Sequence, residues 1–288
     1  MFGGQAGDTA RNDLYVFSLP DLGTALLHTR GAVPGPRVGH AVARINSVFI
    51  VWGGDTRLES RGKQDDGLYM LNLQTRTWSK PHMDGLKPVG RFGHTMATVG
   101  PRLFVFGGQV DNDYFNDLWM FDFDTLRTKP VWTRVEVARG SAKPARRRGH
   151  TCVVFEEKII IFGGTDGQHY FNDTWAFDGH SSQWVKLKCT GFIPAPREGH
   201  SAVVVDGVMY IFGGRGFEDM EFNDLAVFKI SSRHWSMYHL GISPNRRWGH
   251  AMSKFGTNIL IFGGASQDDQ GEDHDVVHVL NTKSFKHS

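Results

Sequence analysis

The feature that most constrains this chain is a spacing. The tetrapeptide Arg-x-Gly-His occurs five times, as RVGH (37–40), RFGH (91–94), RRGH (147–150), REGH (197–200) and RWGH (247–250). From each His to the first glycine of the next Gly-Gly pair is 13 residues in every case, the pairs standing at 53–54, 107–108, 163–164, 213–214 and 263–264. A sixth pair at 3–4 has no Gly-His before it, and the His-to-His period averages 52.5 residues. Self-similarity at a fixed period of this length marks a repeat architecture, in which no single unit can bury its apolar face alone.

Each unit carries further punctuation. Asn-Asp stands at 12–13, 116–117, 172–173 and 223–224, and a tryptophan closes the unit at Trp78, Trp132, Trp184 and Trp235. Between these marks run short segments rich in Val, Ile, Phe and Tyr, such as LFVFGG (103–108) and LWMFD (118–122), bounded by Gly, Asn, Asp and Pro. Such segments read as strands. Four occur per unit: A after Gly-His, B ending in Gly-Gly, C after Asn-Asp and D with the tryptophan. The unit is a four-stranded antiparallel sheet, and six such sheets packed radially make an all-β fold, a six-bladed β-propeller. The glycine pairs suit a point where a strand ends against a neighbouring blade and the backbone needs positive φ or close approach. The tryptophan on D covers the contact between blades.

These residues are the kelch signature, and the chain resembles the kelch-repeat family over its whole length. No Trp-Asp dipeptide closes the repeats and the sialidase box Ser-x-Asp-x-Gly-x-Thr-Trp is absent, so other propeller types fit less well. Expected boundaries are a single domain over 1–288, with blade one at about 1–33 and blades two to six at about 34–87, 88–143, 144–193, 194–243 and 244–288. Blade one begins in strand B and lacks its inner strand A, while Phe285 stands in the tryptophan slot of blade six. The expectation is a propeller cut at blade one, a fragment of a longer protein.

The lead-ins VPGPRVGH (33–40) and IPAPREGH (193–200), with DDGLYMLN (65–72) and FGGTDGQHYFNDTW (162–175), look most like the propellers of fungal cell-end marker proteins. That resemblance implies a protein-interaction scaffold in polarised growth, sited in the cytoplasm at the cell cortex or tips. Trafficking and transcription-cofactor kelch adaptors share much of the pattern and are the alternative. The marker family carries long coiled coils beyond its propeller; this chain has no heptad region, so oligomerisation would come only through segments not present here.

Composition narrows the partners. Lys and Arg number 32 against 30 Asp and Glu, a net charge of +2, too balanced for a general nucleic-acid binder. Two cysteines exclude a secreted disulfide framework, and nothing at MFGGQAGD reads as a secretory signal. The longest apolar runs are a few residues, whereas a membrane helix needs about 20. The expected partners are therefore proteins, with neither nucleic acid nor membrane insertion.

In an antiparallel blade the D–A and B–C loops share one face. Arg37, Arg91, Arg147, Arg197 and Arg247 stand there once per blade, joined by Arg146, Arg148, Arg215 and Arg246. In kelch binders this slot contributes to recognition, and an open ring of guanidinium groups would favour acidic segments through bidentate donors. The competing reading is architectural: an arginine repeated in every blade bonds loop carbonyls or an Asn-Asp carboxylate. Positions that differ between blades discriminate better. They are Gln5, Asp55, Gln109, Thr165, Arg215 and Ala265 after the glycine pairs, and Val38, Phe92, Arg148, Glu198 and Trp248 between Arg and Gly. Phe92 and Trp248 are candidate interface anchors. The long charged B–C loops at 55–67 and 265–274 are further candidates.

An enzyme is not expected, nor a metal or cofactor. One histidine per blade (His40, His94, His150, His200, His250) does not converge on one ion. There is no Gly-x-Ser-x-Gly. Cys152 in strand A and Cys189 near the end of D would lie about 14 Å apart across three strand spacings, too far for a disulfide, and neither stands in a marked site context for the copper and Cys–Tyr cross-link of galactose oxidase, so both read as small core residues. Iron chemistry of the nitrile-specifier type would need a convergent acidic pocket.

Overall fold

In the computed structural model the described residues are 1–19, 23–56, 64–137, 140–238, 243–267 and 277–284. They cluster into two compact units, 1–136 with 146–148, and 137–145 with 149–288. Every described element is a strand or a short 3-10 turn.

The first unit holds three blade sheets. Blade one has strands B (Phe2–Ala6), C (Thr9–Phe17) and D (Thr24–Leu26), with no strand A among the described residues. Blade two runs A (Ala41–Ile45), B (Val48–Trp52), C (Leu68–Asn72) and D (Thr77–Ser79). Blade three runs Thr95–Val99, Arg102–Phe106, Leu118–Asp122 and Trp132–Arg134.

The second unit repeats the plan. Blade four runs Thr151–Phe155, Lys158–Phe162, Thr174–Asp178 and Gln183–Lys186, and blade five Ser201–Val205, Val208–Phe212, Leu225–Lys229 and His234–Tyr238. Blade six has Ala251–Phe255, Asn258–Phe262 and Val277–Asn281; Phe285 lies outside the described residues. The sequence therefore placed the strands correctly, because each blade alternates side chains onto two buried faces and each strand ends at a glycine, an aspartate or a turn.

The expected role of the tryptophans is visible residue by residue. Trp78 packs on Phe2 of the preceding blade with ring centroids 5.4 Å apart, Trp132 on Trp52 at 5.9 Å, and Trp235 on Phe162 at 4.8 Å. In each pair the partner is the residue just before the Gly-Gly. All three tryptophans are buried, and burying a large aromatic contributes more than any other single side chain at such a seam.

A fifth strand was not foreseen. Arg30–Gly31 runs parallel along the outer edge of Thr77–Ser79, and Thr190–Gly191 does the same along His234–Tyr238. The D–A connection thus passes down the outside of the next blade before turning inward. Trp78 Nε1 anchors it by donating to Thr29 Oγ1 at 3.0 Å.

Candidate partner-binding face

The repeated arginines do not form an open ring. Arg37, Arg91, Arg147, Arg197 and Arg247 are 0, 1, 0, 1 and 9 % exposed, which corrects the expectation of guanidinium groups presented to a partner. The architectural reading is what four of these side chains do. Arg91 donates to the carbonyls of Val89 (3.0 Å) and Gly107 (3.1 Å) and to both carboxylate oxygens of Asp117 (2.5 and 3.1 Å). Arg197 repeats this on Ala195, Gly213 and Asp224, and Arg37 on Gly35, Gly53 and Asp65. Arg247 keeps the two carbonyls, Asn245 and Gly263. The aromatic residue before Asn-Asp covers the guanidinium face, Phe115 over Arg91 at 3.9 Å and Phe222 over Arg197 at 4.1 Å.

The arginine backbone binds the preceding blade. The second glycine of each pair donates its amide to the next Arg carbonyl: Gly4 to Arg37 (3.0 Å), Gly54 to Arg91 (2.7 Å), Gly108 to Arg147 (2.8 Å), Gly164 to Arg197 (2.7 Å) and Gly214 to Arg247 (2.8 Å). The first glycine needs both its conformation and its lack of a side chain. Gly163 has φ of +69°, and a Cβ there would lie 2.8 Å from the Arg197 carbonyl oxygen and 2.8 Å from His200 Cε1. Asn of Asn-Asp adds another link, Asn12 Nδ2 to the Pro34 carbonyl (3.0 Å) and Asn172 Nδ2 to the Pro194 carbonyl (3.2 Å).

Four repeat histidines stand edge-on to the aromatic before the preceding Gly-Gly: His40 on Phe2 (5.4 Å), His94 on Trp52 (4.8 Å), His200 on Phe162 (5.4 Å) and His250 on Phe212 (5.6 Å). Burial, followed by the adjacent arginine charge, pushes His40 down to about 4 and His94 and His250 to about 3, and takes His200 well below its usual range. These are neutral packing groups. Among the described residues no three His, Cys, Asp or Glu side chains converge as a metal site.

The family follows from this pattern. The KLHDC2/KLHL20/DRC7 Kelch-repeats domain matches residues 1–214 and again 149–288. The chain belongs to the kelch-repeat family. Its fold class is the six-bladed β-propeller. Curated kelch relatives include Tip elongation aberrant protein 1 of Schizosaccharomyces pombe, 40 % identical over 179 residues (62 % of this chain and 15 % of that protein). Kelch repeat-containing protein 2 of Saccharomyces cerevisiae is 37 % identical over 152 residues, 50 % of this chain and 17 % of that protein. Kelch domain-containing protein 10 of Homo sapiens is 32 % identical over 198 residues, 66 % of this chain and 43 % of that protein. The matches therefore span less than half the length of each relative.

With the kelch signature consumed internally, the variable positions stand out, and the structure joins their two sets. The residue between Arg and Gly pairs by backbone with the residue after the Gly-Gly of its own blade: Val38 with Asp55, Phe92 with Gln109, Glu198 with Arg215 and Trp248 with Ala265. In the first unit Arg148 stacks over Phe92 at 5.7 Å and Tyr114 at 6.0 Å, and Gln109 is buried with its Nε2 donating to the Asp111 carbonyl. Asp55 accepts from Gln64 Nε2 at 3.0 Å. In the second unit Arg215 pairs with Glu198 at 3.0 Å and lies over the Trp248 ring at 4.1 Å. Phe92, Arg148, Arg215 and Trp248 are all half-exposed, and Arg146 and Arg246 are exposed.

Two features escaped the sequence. Asp65 is a hub that accepts from Arg37, Lys80, the Tyr69 hydroxyl and the Gly67 amide; burial works against its charge, but the bonds from Tyr69, Arg37 and Gly67 hold it at about 2. Glu221, buried, accepts from Ser266 Oγ (3.3 Å) and the Gln267 amide (3.1 Å), tying the B–C loops of blades five and six together. An acidic residue in the slot where blades one, three and four carry Ala10, Tyr114 and Tyr170 was the available signal. The long loops at 57–63 and 268–274 lie outside the described residues. Cys152 and Cys189 are half-buried and not joined in a disulfide. Among the described residues no helix is long and apolar enough to cross a membrane.

Proposed function

We propose that this propeller is the non-catalytic binding head of a polarity scaffold, engaging protein partners through the face built by its D–A and B–C loops. One observation carries this reading. The signature residues are spent on holding blades together, while within each unit positions that differ between blades form an aromatic–arginine pair, Phe92 with Arg148 in the first and Trp248 with Arg215 in the second. Arg, Trp and aromatic anchors are the residues that dominate binding energy at interfaces. Exposed Arg146 beside Arg148 favours acidic segments of those partners. The similarity to Tip elongation aberrant protein 1 supports a place in the cytoplasm at the cortex or cell ends.

The test expresses the protein with a fluorescent tag in fungal cells, as wild type and as Phe92→Ala/Arg148→Ala and Trp248→Ala. The expected result is loss of co-purifying proteins and of enrichment at cell ends, with thermal unfolding little changed. Unaltered partners and localisation in both variants would refute the face.

A further inference from the structure

The B–C loop of blade five carries a turn that its residue types do not favour. The Gly216 amide donates to the Met220 carbonyl at 2.8 Å and the Met220 amide to the Phe217 carbonyl at 3.1 Å. Between them Glu218 and Asp219 have φ of +53° and +55°. Two successive left-handed residues suit Asn-Gly, not Glu-Asp, and persist only where the surroundings fix them. Here the surroundings do. Arg215 pairs by backbone with both Glu198 and Glu221 and reaches the Asp219 carboxylate at 3.6 Å, while Glu221 is clamped by Ser266 and Gln267.

The tip held by this frame is apolar. Phe217 is 72 % and Met220 60 % exposed. A Cβ on Gly216 would lie 3.0 Å from the Pro196 carbonyl oxygen, so the loop rests directly on the 192–196 lead-in, which exposes Phe192 and Ile193. Single exposed hydrophobics are ordinary, but Phe217 and Met220 flank one turn held in a fixed conformation, and exposed apolar side chains presented together in this way mark interaction sites. Its charge is acidic: Glu218 and Asp219 stand between the two apolar side chains, and the cation beside them, Arg215, is shared between Glu198 at 3.0 Å and Asp219 at 3.6 Å. A purely apolar partner would strip water from these carboxylates without replacing it. A partner offering apolar side chains and cations together would not.

We propose that this loop is a docking surface for a basic amphipathic helix of a protein partner. Phe217 and Met220 contact the apolar stripe of that helix, and Glu218 and Asp219 select the Lys or Arg beside it. The inference rests on the binding-head reading above and deepens it.

The experiment titrates the chain with two synthetic helices of about 18 residues, five turns long, sharing their Leu stripe but carrying either Lys or Glu elsewhere. Binding is followed by fluorescence anisotropy at about 0.15 M salt. The Leu/Lys helix should bind at least about tenfold more tightly than the Leu/Glu helix, a difference of about 1.4 kcal/mol. Phe217→Ala/Met220→Ala should remove most of that binding, and Glu218→Gln/Asp219→Asn should weaken it and flatten its salt dependence. Glu156→Gln/Glu157→Gln, which removes the same charge from the A–B turn of blade four, should change nothing. Equal weakening by both charge-removing pairs, or no effect of Phe217→Ala/Met220→Ala, would overturn the docking surface. Partners in cells that survive Phe217→Ala/Met220→Ala but are lost on Phe92→Ala/Arg148→Ala would overturn it while leaving the binding-head reading intact. A helix bound through Phe217 and Met220 with no cellular partner lost in any face variant would do the reverse.

Discussion

Asp117 takes both arms of the Arg91 guanidinium, at 2.5 and 3.1 Å, while Phe115 covers the guanidinium face at 3.9 Å. Burial alone would raise the Asp117 pKa, but its bond to Arg91 holds it below the usual range. Arg91→Ala should therefore cost about 3–5 kcal/mol, because it strands a part-buried carboxylate. The double change Arg91→Met/Asp117→Leu should recover at least half of that. Urea unfolding of the three proteins checks it; a double variant no better than Arg91→Ala would show that the guanidinium matters through its carbonyl bonds instead.

The buried histidines give a pH dependence of definite sign. His40, His94 and His250 are held neutral in the fold, at about 4, 3 and 3, against 6.5 when unfolded. Below pH 6.5 the unfolded chain takes up protons that the fold refuses, so stability is full above that pH and falls as pH drops toward 4. Each histidine contributes a slope of about 1.4 kcal/mol per pH unit, or about 2 kcal/mol at pH 5. Asp65, held at about 2 in the fold, adds its loss only below about pH 4. Unfolding midpoints should hold level from pH 8 to pH 7 and fall steeply from about pH 6.5 to pH 5, and His94→Phe, which keeps a ring against Trp52, should reduce the slope. A flat profile from pH 7 to pH 5 would contradict the neutral packing role.

Two glycines separate conformation from space. Gly163→Ala meets both a positive φ and backbone at 2.8 Å, whereas Gly256→Ala meets a positive φ of +57° with nothing within 4 Å. The second should cost about 1 kcal/mol, the left-handed penalty alone, and the first clearly more. Comparable midpoint shifts in thermal unfolding would mean that the seam yields to a methyl group.

Two tryptophans separate seam from face. Trp235 is fully buried between Phe162 and Phe228, and its change to alanine should cost about 3–5 kcal/mol. Trp248 is half-exposed under Arg215, and its change should cost about 1 kcal/mol, the size of a cation–π contact at a partly exposed site. Denaturation of both variants decides this. A large loss on Trp248→Ala would move that residue from the face to the framework.

Much of this architecture is legible in the sequence, for a physical reason. Strand positions, the seam tryptophans and the glycine pairs repeat because every blade solves the same packing problem, and repetition is what a single sequence displays. The role of Arg197 was legible only as a choice between two uses of one guanidinium. Burial decides that choice, and burial depends on Phe222 and Asp224 folding over it from 25 and 27 residues away. The Glu221 clamp and the Glu218–Asp219 turn occur once each, so no period announces them. Thr190–Gly191 was invisible for a different reason: a two-residue strand carries no alternation to read.

That short strand has a consequence for how this propeller can be recognised. Where Arg30–Gly31 and Thr190–Gly191 run along the outer strands of blades two and five, the main-chain donors and acceptors of those strands already have a neighbour. A ligand cannot extend these two sheets by adding itself as a further strand along Thr77–Trp78 or His234–Trp235, the mode used by many peptide-binding domains. The same capping removes a template for unwanted chain-to-chain pairing. Along these capped stretches a partner is read by side chains, which sequence can change without disturbing the ladder beneath.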